Sequence, residues 1–137
     1  MPRIVWTEEY SVGVPKLDDQ HKKWIAMINE MHDALMSADI EGLRQIGEKT
    51  LRSIMEYGEQ HFADEELYME ECGYPCLEEH RTMHQVFRHQ TVRNLDRIHK
   101  GEVILNRDIM QEMLAWLSSH LLVEDKKYAS AKHAAER

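Results

Sequence analysis

The sequence predicts an all-α protein, an antiparallel up-and-down four-helix bundle with an N-terminal lead segment, and three observations predict it. Apolar residues recur at i+3 and i+4 steps along four stretches of roughly 20 residues each, the mark of amphipathic helices. Gly and Pro cluster near the start, at Gly73 to Pro75 and at Gly101, between those stretches rather than inside them. No stretch alternates polar and apolar residues long enough to make a sheet. The 137 residues, 42% hydrophobic and 31% charged, suit one domain over 1–137, large enough to bury a polar site without disulfides.

The lead segment, 1–17, carries Trp6, Tyr10, Val12, Val14 and Leu17. Asp18 is the expected cap of a first helix over about 18–38, whose stripe runs Trp24, Ile25, Ile28, Met31 and Leu35. A second helix, about 40–72, follows the cap Asp39 and stops at Gly73; its stripe uses Leu43, Ile46, Thr50, Leu51, Ile54, Tyr57, Phe62, Tyr68 and Met69. The third, about 76–100, starts near Pro75 to Leu77, follows Phe87, Thr91, Leu95 and Ile98, and ends at Lys100 and Gly101. The fourth, about 106–130, begins at Asn106, follows Ile109, Met110, Met113, Trp116, Leu117 and Leu121, and runs into an Ala-rich tail.

Charge narrows the function classes. The net charge is −8, and an acidic surface repels phosphate backbones and anionic lipid headgroups, so neither nucleic-acid binding nor membrane insertion is expected. No stretch approaches the roughly 20 apolar residues of a membrane span, and the first 20 residues carry Glu8, Glu9, Asp18 and Asp19 in place of an apolar leader. A cytoplasmic protein is expected. Cys72 and Cys76 have neither the C-x-x-C spacing nor a second pair, and are expected to be reduced thiols.

The unusual feature is nine histidines. His21, His61, His80, His84 and His120 fall on the inner stripes, with Glu65 beside them. A single buried His is ordinarily a hydrogen-bonded core residue. Here an unpaired buried carboxylate would cost several kcal/mol and each imidazole would need its own partner, whereas a metal satisfies them together. His61 with Glu65, and His80 with His84, are four apart and share a helix face. Asp125 lies five residues after His120, which turns an ideal α-helix by roughly 140°, so a π-type widening is needed to bring it inward.

Five imidazoles and two carboxylates exceed the coordination of one ion, which implies two metals, with Glu65 and Asp125 as bridges between ions about 3.5–4 Å apart. Imidazole donors suit Fe, Cu or Zn better than Mg or Ca. The Glu-x-x-His arrangement of ferritin-like di-iron oxidases is absent: no Glu stands three residues before any His. His32 has no second donor at ligand spacing and is expected at the bundle end; His89, His99 and His133 are expected on solvated faces.

These residues resemble the hemerythrin family, in particular the single-domain bacterial hemerythrins. His21, His61, Glu65, His80, His84, His120 and Asp125 match all seven ligand positions. Trp6 and Asp18 before His21, Gly73-Tyr74-Pro75 before His80, Trp116-Leu117 before His120, and Tyr128 after Asp125 extend the likeness over nearly the whole chain. The resemblance implies two iron ions bridged by carboxylates and a hydroxo or oxo group. His80, His84 and His120 would hold one, and His21 and His61 the other, which keeps an open position for O2. It implies reversible O2 binding for storage, delivery or buffering by a monomer that is not an enzyme. A di-iron oxidase, peroxidase or nitric-oxide-handling enzyme, or a sensor acting through a partner, are the alternatives on the same site. Leu117, one turn before His120, would line the O2 pocket, and Tyr128 would hydrogen-bond a ligand carboxylate from outside the donor set.

Overall fold

The computed structural model describes residues 4–37 and 39–129. Among them four α-helices form the bundle: α1 (Pro15–Ser37), α2 (Ile40–Glu71), α3 (Leu77–His99) and α4 (Arg107–Ser119), preceded by a short 3-10 turn at Glu8–Tyr10. α4 does not run on unbroken. It passes into a π-helical turn, His120–Glu124, and regains α-helical form over 125–129. The expected Ala-rich continuation and His133 lie largely or wholly outside the described residues.

The helix starts and stops have local causes. Asp39 caps α2 through Gly42 N–H at 2.8 Å, and Asn106 caps α4 through Ile109 N–H at 3.0 Å. Gly73 and Gly101 both adopt positive φ just past helix ends, the left-handed geometry a side chain disfavours. The first helix departs from expectation: it begins at Pro15, where proline suits the first helical position, so Asp18 is not its cap. Asp18 instead sits in the first turn and accepts from Val12 N–H at 2.8 Å and Ser11 Oγ–H at 2.6 Å, fastening the lead segment to α1.

The stripes pack as a main apolar cluster that includes Trp24, Ile28, Leu51, Ile54, Phe62, Phe87, Met110 and Leu117. A smaller one joins Val12, Leu17, Met69, Tyr128 and Ala129. Along α2 the buried face differs from expectation. Ile46 is exposed, while Gly47 and Gly58 are buried, because the second helix is approached too closely there for a side chain. A Cβ on Gly47 would stand 3.0 Å from Leu105 Cβ, and one on Gly58 would stand 2.9 Å from Trp24 Cζ2. Trp24 has little room to retreat: it is fully buried and its Nε1–H donates to Ile54 C=O at 3.1 Å. Helix propensity favours Ala over Gly by about 1 kcal/mol, and overpacking a tight core costs typically about 1–3 kcal/mol. Gly58→Ala is therefore expected to lower the thermal midpoint, and a variant as stable as its parent in a melt would show that the indole has space.

Candidate metal centre

His21 comes from α1, His61 and Glu65 from α2, His80 and His84 from α3, and His120 from the π-helical turn that Asp125 closes. All seven are buried, with Glu65 and Asp125 both at 0% exposure. The expected widening is present: Asp125 N–H donates to His120 C=O, an i+5 bond that turns the carboxylate back toward the bundle axis. His120 Nε2 and Asp125 Oδ1 thereby come within 2.9 Å.

The donors divide into two groups, each with its ligand atoms within 4.8 Å of one another: His80, His84 and His120, and His21 and His61, with Glu65 and Asp125 common to both. The carboxylates divide their oxygens between the groups. Glu65 Oε2 lies 3.3 Å from His21 Nε2 and 3.1 Å from His61 Nε2, whereas Oε1 lies 3.1 Å from His80 Nε2 and 3.0 Å from His84 Nε2. Asp125 repeats the division, with Oδ2 3.2 Å from His21 Nε2 and Oδ1 3.0 Å from His80 Nε2. One oxygen to each side is what a carboxylate bridging two cations presents.

The polar atoms call for cations. Asp125 Oδ1 and Oδ2 are buried and accept no hydrogen bond despite the nearby imidazoles, and His84 Nε2 faces His120 Nε2 at 3.1 Å. An acceptor without a donor is costly in such a place. Without a metal, protons take the compensating role. Burial lowers the His21 pKa, but Asp125 and Glu65 outweigh it and raise it to about 9. Burial likewise lowers His120, and Asp125 with Glu65 lifts it to about 10. Burial and the charge of Glu65 push Asp125 up, yet His120 and His21 hold it below the usual carboxylate range. His61 goes the other way, because its burial exceeds the pull of Glu65.

Aromatic rings fix the imidazoles from the main cluster. Phe62 stacks on His84 with centroids 3.9 Å apart and Trp116 on His120 at 4.4 Å, each at 12° between planes, and Trp24 meets His61 at 5.6 Å. From the smaller cluster Tyr128 O–H donates to Glu65 Oε2 at 3.1 Å, the contact expected of it. Burial beside Glu65 and Asp125 raises the Tyr128 pKa well above its ordinary value, so it stays a donor. Leu117 is fully buried in the main cluster. A groove of about 520 Å³ along α3 and α4, lined in part by Met83, Trp116 and Glu124, reaches the edge of His120.

Outside the donor set, His32 is buried but belongs to neither group, and His89 and His99 are exposed. Cys72 and Cys76 are exposed thiols without a disulfide. Sequence reasoning missed two outer partners: Gln20 Oε1 lies 2.7 Å from His61 Nδ1, and Glu66 Oε2 lies 3.5 Å from His84 Nδ1. Each adjoins a donor in sequence, and adjacency along a helix does not signal contact with another helix's residue.

Residues 12–131 match the model of the hemerythrin HHE cation binding domain. A bacteriohemerythrin of Stenotrophomonas maltophilia is 32% identical over 130 residues, covering 94% of this chain and 81% of that protein. One of Clostridium acetobutylicum is 27% identical over 130 residues, covering 91% and 98% respectively. Among solved structures, wild-type hemerythrin superposes with a TM-score of 0.85 at 28% identity, over 94% of this chain and 97% of that one. With a family model spanning most of its length, this chain belongs to the hemerythrin HHE cation-binding family.

Proposed function

We propose that the chain is an O2-binding protein of one domain, taking up O2 reversibly at two iron ions held by His21, His61, Glu65, His80, His84, His120 and Asp125. The observation that carries this reading is the division of both carboxylates, one oxygen to a group of three imidazoles and the other to a group of two. Unequal groups leave one ion a donor short, and a position without a protein donor is where a small ligand enters. When bound, the ferrous pair supplies the two electrons that O2 accepts. Five neutral imidazoles against two carboxylates favour the reduced ions more than a carboxylate-rich shell would, which supports binding over O–O cleavage. Storage, delivery or buffering of O2 by a cytoplasmic monomer fits this chemistry and the exposed, reduced thiols.

The chain's own residues perform the supporting work. Tyr128 holds Glu65 by a donated hydrogen bond, Phe62 and Trp116 keep two imidazoles from turning, and fully buried Leu117 is the residue assigned to line the O2 pocket.

An anaerobic ferrous sample titrated with O2 and then purged tests the function. Two irons per chain and an absorption band that appears with O2 and vanishes on purging are expected, and replacing His21 or His61 is expected to damage the O2-binding iron first. One zinc per chain from iron-replete cells, or catalytic consumption of O2, would overturn the reading.

A pH dependence follows from the raised histidines. In metal-free protein, stability from His21 and His120 is fully present below the unfolded value of about 6.5 and is lost as pH rises through about 9 and 10. Metal ligands must be neutral, so the loaded protein has the opposite sign and loses its site's stability as pH falls. The midpoint gained on loading is therefore expected to grow from pH 6 to pH 9 in thermal melts; a constant gain would show that the metal displaces no protons.

Leu117→Ala is expected to keep the iron content, to cost about 2–5 kcal/mol of stability if a cavity remains, and to hasten decay of the O2-dependent band. Leu114→Ala, half-buried on the same helix, is the control for loosening. Equal decay in parent and Leu117→Ala by stopped flow would leave Leu117 as packing alone.

A further inference from the structure

His61 is held from outside the donor set by a hydrogen-bonded chain whose polarity can be read end to end. Its Nε2 faces Glu65 Oε2 at 3.1 Å, inside the two-histidine group, and its Nδ1 lies 2.7 Å from Gln20 Oε1. Gln20 comes from α1, next to His21, and its Nε2–H donates to Asp64 Oδ2 at 2.7 Å. The other Asp64 oxygen accepts from Gln60 Nε2–H at 3.1 Å, and exposed Lys16 stands 3.7 Å from Asp64.

The direction of every link follows from the far end. An ionised carboxylate only accepts, so Gln20 must turn its amide nitrogen toward Asp64. Its carbonyl oxygen must then face His61, and only a protonated Nδ1 can meet it. In a neutral imidazole with the proton on Nδ1, Nε2 keeps its lone pair, which is the form a metal requires. Two neighbouring histidines lack this arrangement: His21 Nδ1 is buried without a hydrogen-bond partner, and His84 Nδ1 has only the longer contact of 3.5 Å to Glu66, which Arg81 Nε–H also engages at 3.1 Å. Asp64 and Glu65 are consecutive on α2, so one helix turn supplies both the carboxylate that faces the metal site and the one that orders its outer partner.

We propose that Gln20, clamped by Asp64, is a positioning residue that fixes the ring and tautomer of His61, so that the two-histidine group's hold on its ion depends on a side chain which touches no metal. This inference rests on the reading of the seven side chains as metal ligands. Loss of such an outer partner typically costs 10–100-fold in metal affinity.

The test follows metal loss from loaded protein to excess chelator, with the released metal identified by elemental analysis. Gln20→Leu is expected to speed the loss of one ion per chain by about 10–100-fold and leave the other at the parent rate. The Gln20→Glu/Asp64→Asn double variant exchanges amide and carboxylate while keeping an acceptor for His61 and a donor behind it, and is expected to return the fast ion toward the parent rate. A residue that merely packs would not be rescued by that exchange. If Gln20→Leu does not fold, Asp64→Asn alone, which frees the amide to turn over, carries the test with the same expected sense. Parent rates in the single variants, equal acceleration of both ions, or a double variant as labile as Gln20→Leu would each overturn the proposal. Zinc in place of iron would overturn the O2 reading instead, because His61 must offer the same lone pair to either ion.

Discussion

Two carboxylates at the centre of an apolar bundle set the terms for everything around them. Glu65 and Asp125 are wholly buried, and an isolated ionised carboxylate in such a medium costs far more than any single contact returns. The five imidazoles arranged about them can carry protons or yield lone pairs to cations, and either state neutralises the pair. That is why the pKa shifts have their pattern: burial opposes every charged form, and the imidazoles nearest Asp125 are nonetheless raised. The polar layer is then sealed on one side by Trp24, Phe62, Trp116 and their neighbours, and on the other by Tyr128, Leu17 and Met69. Each seal also contacts the layer directly, through stacked rings on one side and the Tyr128 hydroxyl on the other.

Much of this was legible in the sequence because helical periodicity and ligand chemistry speak together. Four stripes with short connections define a bundle, and pairs at i+4 such as His61 with Glu65 fix which faces meet. The π-helical turn was legible for a geometric reason: in an ideal α-helix, His120 and Asp125 diverge by roughly 140°, so their joint membership of one site demands local widening. The observed i+5 bond supplies it. Helix ends with a stated chemistry, Asp39, Asn106, Gly73 and Gly101, were legible too.

What escaped lies in relations between helices that no single stripe contains. Asp18 has the composition of a cap, and only the path of the lead segment shows it fastening that segment instead. Gly47 and Gly58 weaken an apolar pattern on paper, yet they are where Leu105 and Trp24 approach α2 too closely for a Cβ to fit without a shift. Gln20 and Glu66 are ordinary polar residues beside donors, and their partners, His61 and His84, belong to other helices. Periodicity reports which face of a helix is inward; it is silent on which outward-leaning side chain reaches across a seam.

The lead segment has a share in the site that its position outside the bundle conceals. Asp18, one turn before His21, holds Ser11 and Val12. Lys126, next after Asp125, donates from Nζ to Ser11 C=O at 2.6 Å. The two elements that meet at the His21 and Asp125 contact of 3.2 Å are thus also joined through Ser11. α1 and the π-helical turn are far apart in sequence, and Ser11 adds a polar tie outside the donor set to the contact they make at His21 and Asp125. A metal site needs its donors held to within a fraction of an ångström, so a short segment that lashes these two elements together serves the centre as directly as the helices that carry the ligands.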